Sequence, residues 1–157
     1  MVSKLRALVA YLSYSGNTEE VADLIHGRLE RDDYIVDMHE IGIDPPIDAS
    51  IYDVFFIGTF TWEYGKTPDE VKDFVLEVGY KPENVYVFGT GDTQFGGEDL
   101  FCLAATKLAR FYHSKHEPLK IEQSPRGVQE MKIEKWMEGV LDDGRSYTRK
   151  GENIRTA

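Results

Sequence analysis

The sequence predicts a three-layer α/β domain on a five-stranded parallel sheet of order 2-1-3-4-5, and three observations predict it. Short apolar runs alternate with segments of helical spacing, the pattern of successive βαβ units. The run Asp-Val-Phe-Phe-Ile-Gly at 53–58 is apolar on both faces, as a central strand covered by helices on both sides must be. With 157 residues, one such domain can bury a proper core, and right-handed crossovers make that strand order the leading topology.

Each element has its own signal. Residues 5–12 read as a buried strand, and the periodic segment after them sets Val21, Leu24, Ile25 and Leu29 on one face. Residues 34–41 alternate as an edge strand does, with Ile35, Val36 and Met38 among acids. After the 53–58 strand, Thr67-Pro68-Asp69-Glu70 supplies an N-cap, a proline at the first helical position and a glutamate to close a capping box. The helix it opens is expected to bury Val71, Phe74, Val75 and Val78. A fourth strand at 84–89 precedes a helix over about 98–113, and 119–122 forms an uninterrupted last strand. Ser124-Pro125 then opens a helix expected to bury Ile133, Trp136, Met137, Val140 and Leu141. The domain is read as residues 1–143, with 144–157 as a polar basic tail.

Composition narrows the function classes. The net charge of −10 argues against nucleic acid as a partner, because phosphate backbones need clustered Lys and Arg. The tail carries Arg145, Arg149, Lys150 and Arg155 against Glu152, net +3, so the rest of the chain holds −13. Such a body suits basic partner surfaces or simple solubility. No apolar run is long enough to cross a membrane, and no signal-peptide pattern opens the chain. Cys102 is the single cysteine, so no intrachain disulfide forms; it is read as a small buried hydrophobe within a helix, and a reducing cytoplasm fits best.

Ligands of doubly wound sheets bind at the carboxyl ends of the strands, near the point where strand order reverses. Three loops fall there. The first, Ser13-Tyr14-Ser15-Gly16-Asn17-Thr18, packs three short aliphatic hydroxyls and an amide around a glycine at a helix start. Unpaired N–H groups and the helix dipole make that place an anion site. The plainer reading, an Asn17 cap completed by Glu20, does not need so many hydroxyls. Glu19 and Glu20 oppose an anion unless both point outward. The second loop, Thr59-Phe60-Thr61-Trp62-Glu63-Tyr64-Gly65, holds three aromatics that are costly to expose unless something flat covers them. The third, residues 89–97, reads Gly-Thr-Gly-Asp-Thr-Gln-Phe-Gly-Gly.

The first hexapeptide resembles the FMN phosphate loop of flavodoxins, Ser/Thr-x-Ser/Thr-Gly-Asn-Thr, and follows the first strand directly as that loop does. The resemblance implies that Ser13, Tyr14, Ser15, Gly16, Asn17 and Thr18 hold the phosphate through N–H and O–H donors, with no basic side chain or metal. It implies that Trp62, in the stretch Thr59, Phe60, Thr61, Trp62, Glu63 and Gly65, stacks on the isoalloxazine. The family's glycine after that aromatic is Glu63 here. The third loop is similar to Gly-x-Gly-Asp-x-x-Tyr, so Thr90, Gly91 and Asp92 line the pyrimidine edge and Phe95 stands for the second stacking aromatic. The likeness spans about 5–141 and implies a monomeric low-potential one-electron carrier, with a flavin reductase as donor and a metalloenzyme as acceptor.

The flavodoxin-like activators of class Ib ribonucleotide reductase are a second resemblance, through Phe95-Gly96; Trp62 favours the ordinary flavodoxin. An FMN-dependent NAD(P)H reductase is a further alternative, disfavoured because two aromatics over the ring leave only its edge open. A Cys-x5-Arg phosphatase fails, since Leu108 stands where Arg is needed, and a receiver domain fails, since Ser13 and Thr59 replace its carboxylates. The four histidines show no metal-ligand constellation.

Overall fold

The computed structural model describes residues 4–14, 16–61, 65–91 and 101–156, with backbone alone from 143 onward. Its strands are β1 (Arg6–Tyr11), β2 (Ile35–Glu40), β3 (Val54–Phe60), β4 (Val85–Gly91) and β5 (Leu119–Glu122), all parallel in the order β2-β1-β3-β4-β5. Four α-helices stand among the described residues: α1 (Asn17–Arg31), α2 (Asp69–Val78), α3 (Leu103–Tyr112) and α4 (Val128–Thr156). The backbone of α4 is continuous through the segment read as a tail.

Strand alternation splits the core in two. Ala7, Val9, Phe56, Tyr86 and Phe88 point to a layer filled by Val21, Ile25 and Leu29 of α1 and Ile133, Met137, Val140 and Leu141 of α4. Leu8, Ala10, Phe55, Ile57, Val85 and Val87 point the other way, against Val71 and Phe74 of α2 and Ala105, Leu108 and Ala109 of α3. Both faces are apolar because both are covered. Packing is closest at Gly58, where an added Cβ would lie 2.1 Å from the Phe88 ring, so no larger residue fits without moving that ring.

Several sequence expectations change in detail. Leu24 is 37% exposed, and Ala22 takes the buried position beside Val21. Val75, Val78 and Trp136 are only partly buried at the margins of the core, and the Trp136 indole N–H donates to the Glu117 carbonyl at 2.9 Å. The capping box at Thr67 does not form: Pro68 is the N-cap, with ψ 142°, and its carbonyl accepts from Val71 N at 3.1 Å. The extended Pro68 moves the helix start to Asp69, out of register with a Thr67 cap. The helix expected from 98 begins, as described, at Leu103, because Cys102 adopts a left-handed backbone (φ 52°) that cannot continue a helix. Cys102 is therefore that helix's N-cap residue rather than an interior one, though buried as expected.

Candidate functional site

The β1/β3 boundary is the switch point of this strand order, the place where flavodoxins themselves exemplify the binding rule. β1 delivers the chain to Ser13, whose Oγ accepts from Gly16 N at 3.0 Å and closes the turn. Gly16 is the N-cap of α1 at φ 94°, and an added Cβ there would meet no atom within 4 Å. Asn17 is thus the first helical residue and not the cap, and the cap residue, a glycine, has no side chain to bond the helix start. Glu20 N is the first amide bonded back, to Gly16 O at 3.0 Å, leaving Asn17, Thr18 and Glu19 N–H without an intrahelical acceptor. Glu19 and Glu20 are exposed. Open space over unpaired donors and a positive dipole end fits the phosphate of FMN.

Thr18 is only 1% exposed, and its hydroxyl lies 2.8 Å from that of the buried Thr90 in β4. This pair joins the first loop to the end of the fourth strand. One hydroxyl of the two donates to the other, so one proton stays free for a further acceptor. Tyr14 is 81% exposed, with its ring 6.2 Å from that of Phe60.

Thr59 and Phe60 prolong β3 instead of opening the loop, in register with Gly89 and Thr90, and Gly91 still belongs to β4. The loop after β3 is held at both ends by α3. Thr61 Oγ1 accepts from Ala104 N at 3.1 Å, and Gly65 O accepts from Lys107 Nζ at 3.0 Å, with Gly65 at φ 76°. An added Cβ at Gly91 would sit 3.3 Å from Cys102 Sγ, so this strand end lies against the start of α3. Burial pushes the Cys102 thiol up to about 12, which removes its nucleophilic form. Ser15, Trp62, Glu63, Tyr64, Asp92 and Phe95 lie outside the described residues.

Sequence reasoning missed two features. Lys107 and Ala104 N–H anchor the second loop across more than forty positions of chain, and a lone lysine on a small-residue helix gives no hint of it. A cleft of about 580 Å³ opens beside the first loop, where Lys66 and Lys72 line the same walls as Ser13, Tyr14 and Phe60. Cations, matched in number by Asp69 and Glu70 on the same walls, therefore stand near a loop read as neutralised by N–H and O–H alone.

Comparison with known proteins agrees with this fold. The family model described as Flavodoxin matches residues 9–115. The chain is 32% identical over 154 residues to Probable flavodoxin 2 of Bacillus subtilis (strain 168), covering 92% of this chain and 95% of that one. It is 35% identical over 131 residues to Probable flavodoxin 1 of the same organism, at 76% and 79% coverage. The structure of oxidised Flavodoxin 2 from Bacillus cereus superposes with a TM-score of 0.70 at 33% identity, covering 90% of this chain and 99% of that one. An α/β domain with an anion-ready turn at its switch point has the architecture of a nucleotide-binding protein. The chain belongs to the flavodoxin family, electron-transfer proteins whose cofactor is FMN.

Proposed function

We propose that this chain is a low-potential one-electron carrier holding one FMN non-covalently at the carboxyl edge of the sheet. The observation that carries the reading is the first turn of α1, with Gly16 left-handed under open space, three amides without an intrahelical acceptor and Thr18 tied to Thr90. Ser13, Tyr14, Ser15, Gly16, Asn17 and Thr18 would take the phosphate. Thr59, Phe60, Thr61, Trp62, Glu63 and Gly65 would line the ring from one side and Phe95 from the other, with Thr90, Gly91 and Asp92 along its pyrimidine edge. Bound flavin supplies the acceptance and release of single electrons.

The protein's residues do the rest. Hydroxyl and amide donors at α1 hold a charged group that would otherwise cost several kcal/mol to desolvate. The α3 clamp at Thr61 and Gly65 fixes where the aromatic loop starts and ends. The acidic body disfavours added negative charge: one carboxylate ~8 Å away at an effective dielectric of ~40–80 contributes ~0.5–1 kcal/mol, or ~20–45 mV for one electron. Several together lower the second potential. Partners would be redox proteins with basic docking faces, a flavin reductase giving electrons and a metalloenzyme taking them, in the cytoplasm.

Potentiometric titration of the FMN-loaded protein tests the proposal. Two separated one-electron steps are expected, the second well below that of free FMN. A single two-electron step at the free-flavin potential would contradict it. So would bleaching by NADPH with no added reductase, which is the behaviour of an enzyme.

A further inference from the structure

A second cleft, of about 210 Å³, lies between the turn after β2 and α2. His39, Ile41 and Phe74 are buried beneath it, and Asp44, Glu70, Asp73 and Glu77 are exposed on its walls. His39 is 4% exposed, packs its ring on Phe74 at 5.3 Å between centroids, and makes no side-chain hydrogen bond among the described residues. Burial lowers its affinity for a proton despite Asp44 and Glu77, so the imidazole offers a neutral acceptor nitrogen. None of the four carboxylates has an ion-pair partner among the described residues.

The rim is built. Asp44 Oδ2 accepts from Glu40 N at 2.8 Å while Asp44 N donates to Glu40 O at 3.0 Å, closing the turn. Gly42, at φ 86°, lies where a Cβ would touch Glu70 at 3.7 Å, so turn and helix are in contact. A metal ion is a poor fit, because no three His, Cys, Asp or Glu among the described residues are spaced to hold one. A buried acceptor below a ring of carboxylates without ion-pair partners among the described residues suits a planar, multiply donating cation, which donates to several oxygens and one nitrogen at once. Glu70 also lines the larger cleft beside Ser13 and Tyr14, so the two clefts adjoin.

We propose that this cleft receives one arginine side chain of a basic redox partner and so orients that partner over the cofactor edge. The inference rests on the carrier reading above. Its test uses the full FMN-loaded chain, labelled for NMR and titrated with the probe acetyl-Gly-Arg-Gly-amide, with the citrulline peptide as the uncharged match. Saturable shifts at His39, Gly42 and Asp73 are expected with arginine and not with citrulline. Asp73→Asn, an exposed change, should weaken that binding by roughly fivefold, the loss of one charge-assisted pair. Equal response to citrulline, shifts spread evenly over the acidic surface, or equal displacement by Mg²⁺ or spermidine at matched ionic strength would each overturn it. Flavin absorbance of the same sample reports the carrier reading separately. FMN bound with no arginine response refutes the cleft alone, whereas no FMN uptake refutes the carrier.

Discussion

Two glycines, one inside β3 and one at the start of α1, are constrained for opposite reasons. Gly58, inside β3, has no room: a Cβ would overlap the Phe88 ring at 2.1 Å. Gly16, where β1 hands over to α1, has nothing within 4 Å but a φ of 94° that only glycine adopts cheaply. The sheet interior is closed and serves stability. Its carboxyl edge keeps open space and unpaired donors, which fold alone does not require and a bound anion does.

The sharpest way to break this contrast is to exchange the two losses. Gly58→Ala is expected to cost about 3 kcal/mol or more through overpacking, read by urea unfolding of the apoprotein. Its folded fraction should still bind FMN with nearly parental affinity. A large affinity loss with stability intact would place Gly58 in the site instead. Thr18→Val at the edge should do the reverse. Losing a donor to a buried anion weakens FMN binding by about 1.5–3 kcal/mol, roughly tenfold to a hundredfold, in a flavin-fluorescence titration. The apoprotein should lose only about 1 kcal/mol from the broken Thr18–Thr90 pair. Unchanged affinity would mean the phosphate lies elsewhere.

Much of this was legible in sequence. The central strands announced themselves as short apolar runs because both faces of the sheet are covered there, β2 announced itself by edge-strand alternation, and the loop Ser13-Tyr14-Ser15-Gly16-Asn17-Thr18 stood out because hydroxyl density exceeded what a cap uses. Helix starts were less legible. Thr67-Pro68 and Cys102 fail as predicted because start positions depend on single backbone angles, ψ 142° at Pro68 and φ 52° at Cys102, that tertiary contacts set. The Lys107–Gly65 anchor and the His39 cleft join residues distant in sequence, and no local pattern encodes such pairs.

Smaller effects sharpen the same division between interior and edge. Gly16→Ala, with strain but no clash, should cost about 1–2 kcal/mol in the apoprotein. His39 bears on pH. Its folded affinity for a proton lies below the unfolded value of 6.5, so the unfolded chain takes up the proton first as pH falls. Its contribution to stability is present above that value and is lost as pH drops below about 6.5, by at most ~1.4 kcal/mol per pH unit. Urea unfolding of the apoprotein from pH 7.5 to 5.5 should show that slope, and His39→Gln should flatten it. The smallest expectation is a null rate: Cys102, buried and pushed up to about 12, should resist thiol reagents at pH 8 until the protein unfolds.

The central claim is that the first turn of α1 binds the phosphate of FMN. Titrating the apoprotein with FMN and with riboflavin, which lacks only that phosphate, tests it most directly by fluorescence quenching. One FMN per chain is expected, with riboflavin weaker by about a hundredfold or more, since several donors to one anion are lost together. Equal affinity for the two, or no uptake of FMN at all, would contradict it.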